Sequence, residues 1–166
     1  MKKLVVFKSN TGFTEKYARW IAEDLGCVAK PLKQVNAAEI ASYDVIIYGG
    51  GIMAGMISDV DKIVKMNPKK LVVFATGATP TSVEYAEVLK KQNKLEDTPV
   101  FYYEGGLALE KLNFIMRGML NMAAKGLAKK EDKTPEDEIM LKQFGQSYDH
   151  SNRDNISELV NMLKEE

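Results

Sequence analysis

One cysteine, one histidine and one tryptophan stand in 166 residues. A single thiol, Cys27, cannot close an internal disulfide. Nor can it supply the sets of thiolates that hold structural zinc or an iron–sulfur cluster. With His150 as the sole imidazole, a histidine-rich metal site is excluded too, and no metal site is expected. Surplus charge is also missing, since Lys+Arg and Asp+Glu are 23 each. Without a basic excess, nucleic acid is not an expected partner. Long apolar runs are absent as well. The start, MKKLVVFKSN, has four apolar residues in a row, too few for a secretory signal, and nothing approaches the roughly 20 apolar residues of a membrane span. A reducing cytoplasm is the expected location.

What is present reads as alternating strand and helix. Leu4-Val5-Val6-Phe7 is an unalternating apolar run, as in a strand covered on both faces. Phe13, Tyr17, Trp20, Ile21 and Leu25 follow at helical spacing, and Gly26 ends the helix. Cys27 to Leu32 is a weaker strand. Strong strands follow at Asp44 to Tyr48, Leu71 to Phe74 and Pro99 to Tyr103, separated by helices over 58–66 and 81–92. A last helix is expected over Arg153 to Lys164, with Ser151 and Asp154 placed like a capping box. This alternation predicts an α/β fold: a three-layer α-β-α sandwich around an open five-stranded parallel sheet, in one domain spanning 1–166.

The stretch 107–147 breaks that rhythm and reads as a helical insertion after the fifth strand. Within 109–130, Leu112, Ile115, Met116, Met119, Leu120, Ala123 and Leu127 form one helical stripe. Lys111, Arg117, Lys125, Lys129 and Lys130 lie largely off it. Two readings stand side by side: a core helix folded back on the sheet, or an exposed helix for a partner or a membrane surface. Thr134-Pro135-Glu136-Asp137 then reads as N-cap, first-turn proline and acidic first turn of another helix.

In an open parallel sheet, ligands bind beyond the carboxyl ends of the strands. Three strands exit there into unusual loops. Ser9-Asn10-Thr11-Gly12-Phe13-Thr14 joins a strand to a helix N-terminus, where free N–H groups and the helix dipole attract an anion. It carries hydroxyls but no arginine, so a phosphate would be held mainly by neutral donors. It lacks the Gly-Lys-Ser/Thr of a P-loop and the spacing of a dinucleotide loop. The plainer reading is a helix cap with spare hydroxyls. The second exit, Gly49-Gly50-Gly51-Ile52-Met53-Ala54-Gly55-Met56-Ile57, invites close backbone contact with a flat ligand. The alternative is a flexible turn plugged by its methionines. The third, Ala75 to Thr81, has Thr76, Gly77, Ala78 and Thr79 and is uninformative alone.

Together these residues resemble the flavodoxin family. Its N-terminal signature is matched at Val5, Val6, Phe7, Ser9, Gly12, Thr14, Ala18 and Ile21. The resemblance covers nearly the whole chain apart from 107–147. It implies the sheet order 2-1-3-4-5 and one noncovalent FMN. Ser9, Asn10, Thr11, Gly12, Phe13 and Thr14 would cradle the phosphate. Gly50, Gly51, Ile52, Met53 and Ala54, with Thr76, Gly77, Ala78 and Thr79, would flank the isoalloxazine. No catalytic side chain is then expected, because the flavin carries the redox chemistry. The family usually stacks an aromatic on the flavin from the second or third loop. None is present here, so Met53, Met56 or Ile57 would take that place. Family electron carriers are commonly acidic, and this chain is neutral.

A subgroup with a long insertion after strand five is similar in layout. It includes the bacterial flavodoxin-like protoporphyrinogen oxidases, which pass electrons to quinone. Gly105-Gly106-Leu107 followed by Leu112 to Leu127 fits that outline, although Ala108, Leu109 and Glu110 replace the basic and aromatic residues expected there. Three functions follow as expectations. The first is an FMN electron-transport protein serving a partner redox protein or reductase. The second is an FMN oxidoreductase with a quinone acceptor, with quinone or membrane-surface contact through 109–130. The third is a non-redox interaction domain that has lost its flavin.

Overall fold

The computed structural model describes residues 1–166, and the chain forms two compact units. One is Met1–Gly105 with Ser151–Glu166, and the other is Gly106–His150.

The first unit is the α/β sandwich. Its strands are β1 (Lys3–Lys8), β2 (Val28–Pro31), β3 (Val45–Met53), β4 (Met56–Ile57), β5 (Leu71–Gly77) and β6 (Val100–Glu104). Five are parallel in the order β2-β1-β3-β5-β6, while the two-residue β4 pairs antiparallel with β3 alone. Counting only the parallel strands, this is the expected order 2-1-3-4-5. Leu4, Val5 and Val6 are fully buried, as are Val45 to Tyr48 and Val72 to Ala75. Unalternating strands have this burial because both sheet faces are covered.

The covering helices are α1 (Phe13–Leu25), α2 (Ala37–Ala41), α3 (Val60–Lys65) and α4 (Val83–Gln92), with α7 (Ser157–Lys164) closing the chain. Alternate residues along each strand feed separate cores. Val5, Phe7, Ile47 and Phe74 pack with Tyr17, Ile21, Leu159 and Leu163 of α1 and α7. Leu4, Val6, Ile46, Tyr48 and Val73 pack with Ile40, Ile63 and Leu89 of the other helices. Trp20 is half-buried against the first of these cores and meets Tyr17 edge to face at 5.3 Å.

Some boundaries differ from the sequence reading. The last helix begins as a 3₁₀ turn over Arg153–Ile156, and the side chain that accepts from the Asp154 N–H is that of Asn152 rather than Ser151. An amide at position 152 reaches that N–H within a tighter turn. Helix α2, capped by Asn36, has only five residues, too short to show a helical period.

The second unit holds α5 (Phe114–Ala128) and α6 (Pro135–Gln143), with a two-residue antiparallel pair of β7 (Gly106–Leu107) and β8 (Tyr148–Asp149). The expected helix over 109–130 starts late, because Leu109–Lys111 form a 3₁₀ turn and Asn113 caps α5 by accepting from the Met116 N–H. Thr134 and Asp137 form a reciprocal capping box at α6, with Pro135 in the first turn.

Candidate functional site

The exits of β1, β3 and β5 lie side by side, since Lys8 pairs with Gly50 and Gly51 with Thr76. At the first exit the Ser9 hydroxyl accepts from the Gly12 N–H at 3.1 Å and closes a tight turn. Gly12 has φ 100, a left-handed conformation that disfavours any residue with a Cβ. It is the N-cap of α1, and no side chain caps that helix. The hydroxyls of this loop are therefore not spent as a helix cap, and the first-turn N–H groups of a 13-residue helix keep their capacity for an anion.

Thr14 points inward instead. It is 3% exposed, and its Oγ1 lies 2.6 Å from the Oγ1 of Thr76, itself 4% exposed. This buried bond ties the first and third exits together. A Cβ placed on Gly51 would lie 3.8 Å from the Thr14 hydroxyl, so the second exit borders the same spot. One residue from each predicted loop thus converges there.

The second exit is not the irregular loop that its glycines suggest. Strand β3 runs on through Gly49, Gly50 and Gly51 to Met53, then turns back at Ala54 and Gly55 into β4. Both turn residues have positive φ, as two-residue hairpins with the native twist require. The three glycines serve different ends. A Cβ on Gly49 would fall 2.0 Å from the Phe74 ring, and one on Gly50 would fall 2.8 Å from Ile57 Cγ2. Those two leave no space for a Cβ, so at both positions glycine makes room for neighbouring groups. Gly51 alone would leave room for a Cβ, in ordinary contact with the Thr14 hydroxyl at 3.8 Å. Ile57, only 3% exposed, packs in the core, whereas Met53 is half-buried and Met56 is 51% exposed.

Several positioning residues escaped the sequence reading. The buried Asn93, at the end of α4, accepts from the Ile57 N–H at 2.9 Å and donates to the Gly55 carbonyl at 3.1 Å. It clamps the hairpin from outside. Tyr48 donates to the Ser58 carbonyl at 2.5 Å, and Tyr102 donates to the Thr79 carbonyl at 2.5 Å beneath Gly77. Burial pushes both phenols well above their ordinary pKa, so both stay protonated donors. The Thr81 hydroxyl accepts from the Glu104 N–H at 3.0 Å. Tyr103 points to the opposite face and stacks on Tyr17 at 5.0 Å, so of the two tyrosines only Tyr102 supports the third loop. An asparagine at a helix end was the one available signal for Asn93. The tyrosines gave none, because a strand tyrosine also fits plain core.

Of the remaining expected residues, Asn10 is exposed. Ser9, Thr11, Ile52, Gly77, Ala78 and Thr79 are half-buried around the same rim, and Ala54 is exposed at the hairpin tip. Phe13 opens α1 and would meet a Cβ on Gly105 at 2.9 Å.

A flavodoxin-domain family model matches residues 4–134. The chain belongs to this flavodoxin family. Among curated proteins, an uncharacterised protein of Methanocaldococcus jannaschii is 36% identical over 86 residues, which cover 48% of this chain and 57% of the relative. The match therefore spans little more than half of that relative. Among solved structures, oxidised flavodoxin 2 from Bacillus cereus is similar at 21% identity and TM-score 0.47, covering 78% of this chain and 100% of that one. A flavodoxin from the domain Archaea is similar at 19% identity and TM-score 0.45, covering 75% and 98%. This flavodoxin-domain chain has no helix long and apolar enough to cross a membrane.

Proposed function

We propose that this flavodoxin-family chain binds FMN at the joined exits of β1, β3 and β5 and carries electrons to or from a partner redox protein. The observation that carries the reading is the uncapped N-terminus of α1 behind Gly12, beside the Thr14–Thr76 hydroxyl pair. An isolated cap would have used one of the available hydroxyls on the helix. Here the turn spends only Ser9, on the Gly12 N–H.

When bound, FMN supplies the redox chemistry, accepting and releasing electrons through its ring. The chain's part is to bind and orient. The α1 first-turn N–H groups and the Thr11 hydroxyl would hold the phosphate without a cation in the loop. Met53 and Ala78 would border the ring in place of an aromatic. Asn93 and Tyr102 hold the second and third loops in place before any ligand arrives, which lowers the ordering cost of binding.

A second reading, favoured by the separate unit at Gly106–His150, is an FMN oxidoreductase of the protoporphyrinogen oxidase type with a quinone acceptor. Mixing the reduced protein with a soluble quinone and then with a porphyrinogen separates the two readings. Turnover of porphyrinogen favours the enzyme, and its absence favours the carrier.

The test of the main reading is a titration of the protein with FMN, followed by absorbance and flavin fluorescence. Thr14→Ala removes the bond that holds the first exit against the third, so the loops must be ordered as FMN binds, and this should weaken binding by ~1 kcal/mol, about fivefold. Thr76→Ala should do the same, and the double variant should lose less than the sum, because the two share one bond. A colourless protein whose spectrum ignores FMN would sink the reading.

A further inference from the structure

Helix α5 presents an apolar face that its own unit does not cover. Ile115 is 69% exposed, Met119 39% and Met122 75%. At about 100° per residue they share one arc of roughly 60°, with Gly126 between them. Met116, Leu120, Ala124 and Leu127, on the far side, are half-buried. Phe114, at the first turn, is 92% exposed.

Charge is sorted along the same segment. From Lys111 to Lys130 the sequence holds five cations and no carboxylate, in a chain whose 23 basic and 23 acidic residues otherwise balance. Arg117 donates to the Leu109 carbonyl at 3.1 Å and Lys130 pairs with Asp137 at 2.6 Å. Lys125 and Lys129 fall on the arc adjoining the apolar one. A helix with large exposed apolar groups and lysines at their border has the make-up of one that lies in a membrane interface. At 15 residues, α5 is about 22 Å long, too short to cross a bilayer.

We propose that α5 docks on an anionic phospholipid surface, with Ile115, Met119 and Met122 entering the headgroup boundary and Lys125 and Lys129 meeting the lipid phosphates. Charge complementarity selects this occupant. An apolar protein groove would reward the methionines but not a segment stripped of every carboxylate, whereas anionic headgroups reward both features. The docking does not require flavin, so vesicle binding and FMN titration succeed or fail separately.

The test is flotation of the full-length protein with vesicles of phosphatidylcholine alone and with phosphatidylglycerol added, at low and high salt. Binding is expected with the anionic vesicles only, and it should fall as salt rises. Lys125→Gln with Lys129→Gln should weaken it roughly thirtyfold, about fivefold per lysine. Met122→Glu should weaken it about tenfold or more while leaving far-ultraviolet circular dichroism and FMN affinity unchanged. Failure of the unaltered protein to float with anionic vesicles overturns the proposal without reference to any variant. Equal flotation with neutral vesicles overturns it too, as does binding indifferent to both substitutions. Co-isolation with an acidic protein in place of lipid would assign α5 to that partner instead.

Discussion

The sandwich unit and the Gly106–His150 unit use hydrophobic residues in opposite ways. The first buries 0%-exposed Tyr17, Ile47, Phe74 and Leu159 in one core and Leu4, Ile46, Tyr48 and Leu89 in the other. In the second unit Ala108 is the one buried residue, and neither α5 nor α6 buries any side chain fully. Its order comes from caps and polar bonds instead: the Asn113 cap, the Thr134–Asp137 box, and the Ser147 hydroxyl, which accepts from the Leu109 N–H and donates to Glu110. Caps and single hydrogen bonds contribute about 1 kcal/mol each, whereas a buried aromatic contributes several. A unit held mainly by caps opens more easily, and its apolar groups stay free for another surface.

The sharpest way to break this contrast is in the core. Phe74→Ala removes the ring that fills the space left by Gly49 and should cost about 3–5 kcal/mol in urea unfolding. Met122→Ala, on α5, should stay within about 0.5 kcal/mol. Comparable losses at the two sites would mean that α5 is packed as core.

A smaller effect is expected from Thr134→Ala, which deletes the α6 cap. It should cost about 1 kcal/mol, read as faster amide exchange in α6 with the sandwich unit unchanged. Slowed or unaltered exchange in α6 would show that the capping box does not limit its opening.

The smallest effect is with pH. The Lys130 ammonium, then the Thr134 backbone, hold the Asp137 carboxyl below its ordinary range. A depressed carboxyl contributes stability that is fully present above its unfolded value, about 3.9, and is lost as pH falls through its lower folded value. The start of α6 should therefore fray below about pH 4, ahead of the sandwich unit. Two-dimensional NMR across an acid titration checks this, and simultaneous loss of both units would contradict it.

The sandwich was legible because its signals are periodic and redundant. Four unalternating runs, from Leu4 to Pro99–Tyr103, could bury both faces only in a parallel sheet. The first loop stood out because it sets three hydroxyls and a glycine at a strand exit before a helix N-terminus, where an anion site and a plain helix cap both fit. The glycine run at 49–51 was ambiguous. Glycine marks close approach without saying by what, and here the approaching groups are the Phe74 ring and Ile57. The stripe at 112–127 was equally ambiguous, since its spacing is the same whether its residues are covered or bare.

By itself, then, the sequence determined the alternation of strand and helix, the parallel sheet, the family and the loop before α1, all encoded in neighbours along the chain. Tertiary structure alone decided that Thr14 meets Thr76, that Asn93 and Tyr102 hold the second and third loops, and that Ile115, Met119 and Met122 stand uncovered. Those facts join residues as many as 62 positions apart, or concern what fails to arrive beside a side chain. Local periodicity carries no record of either.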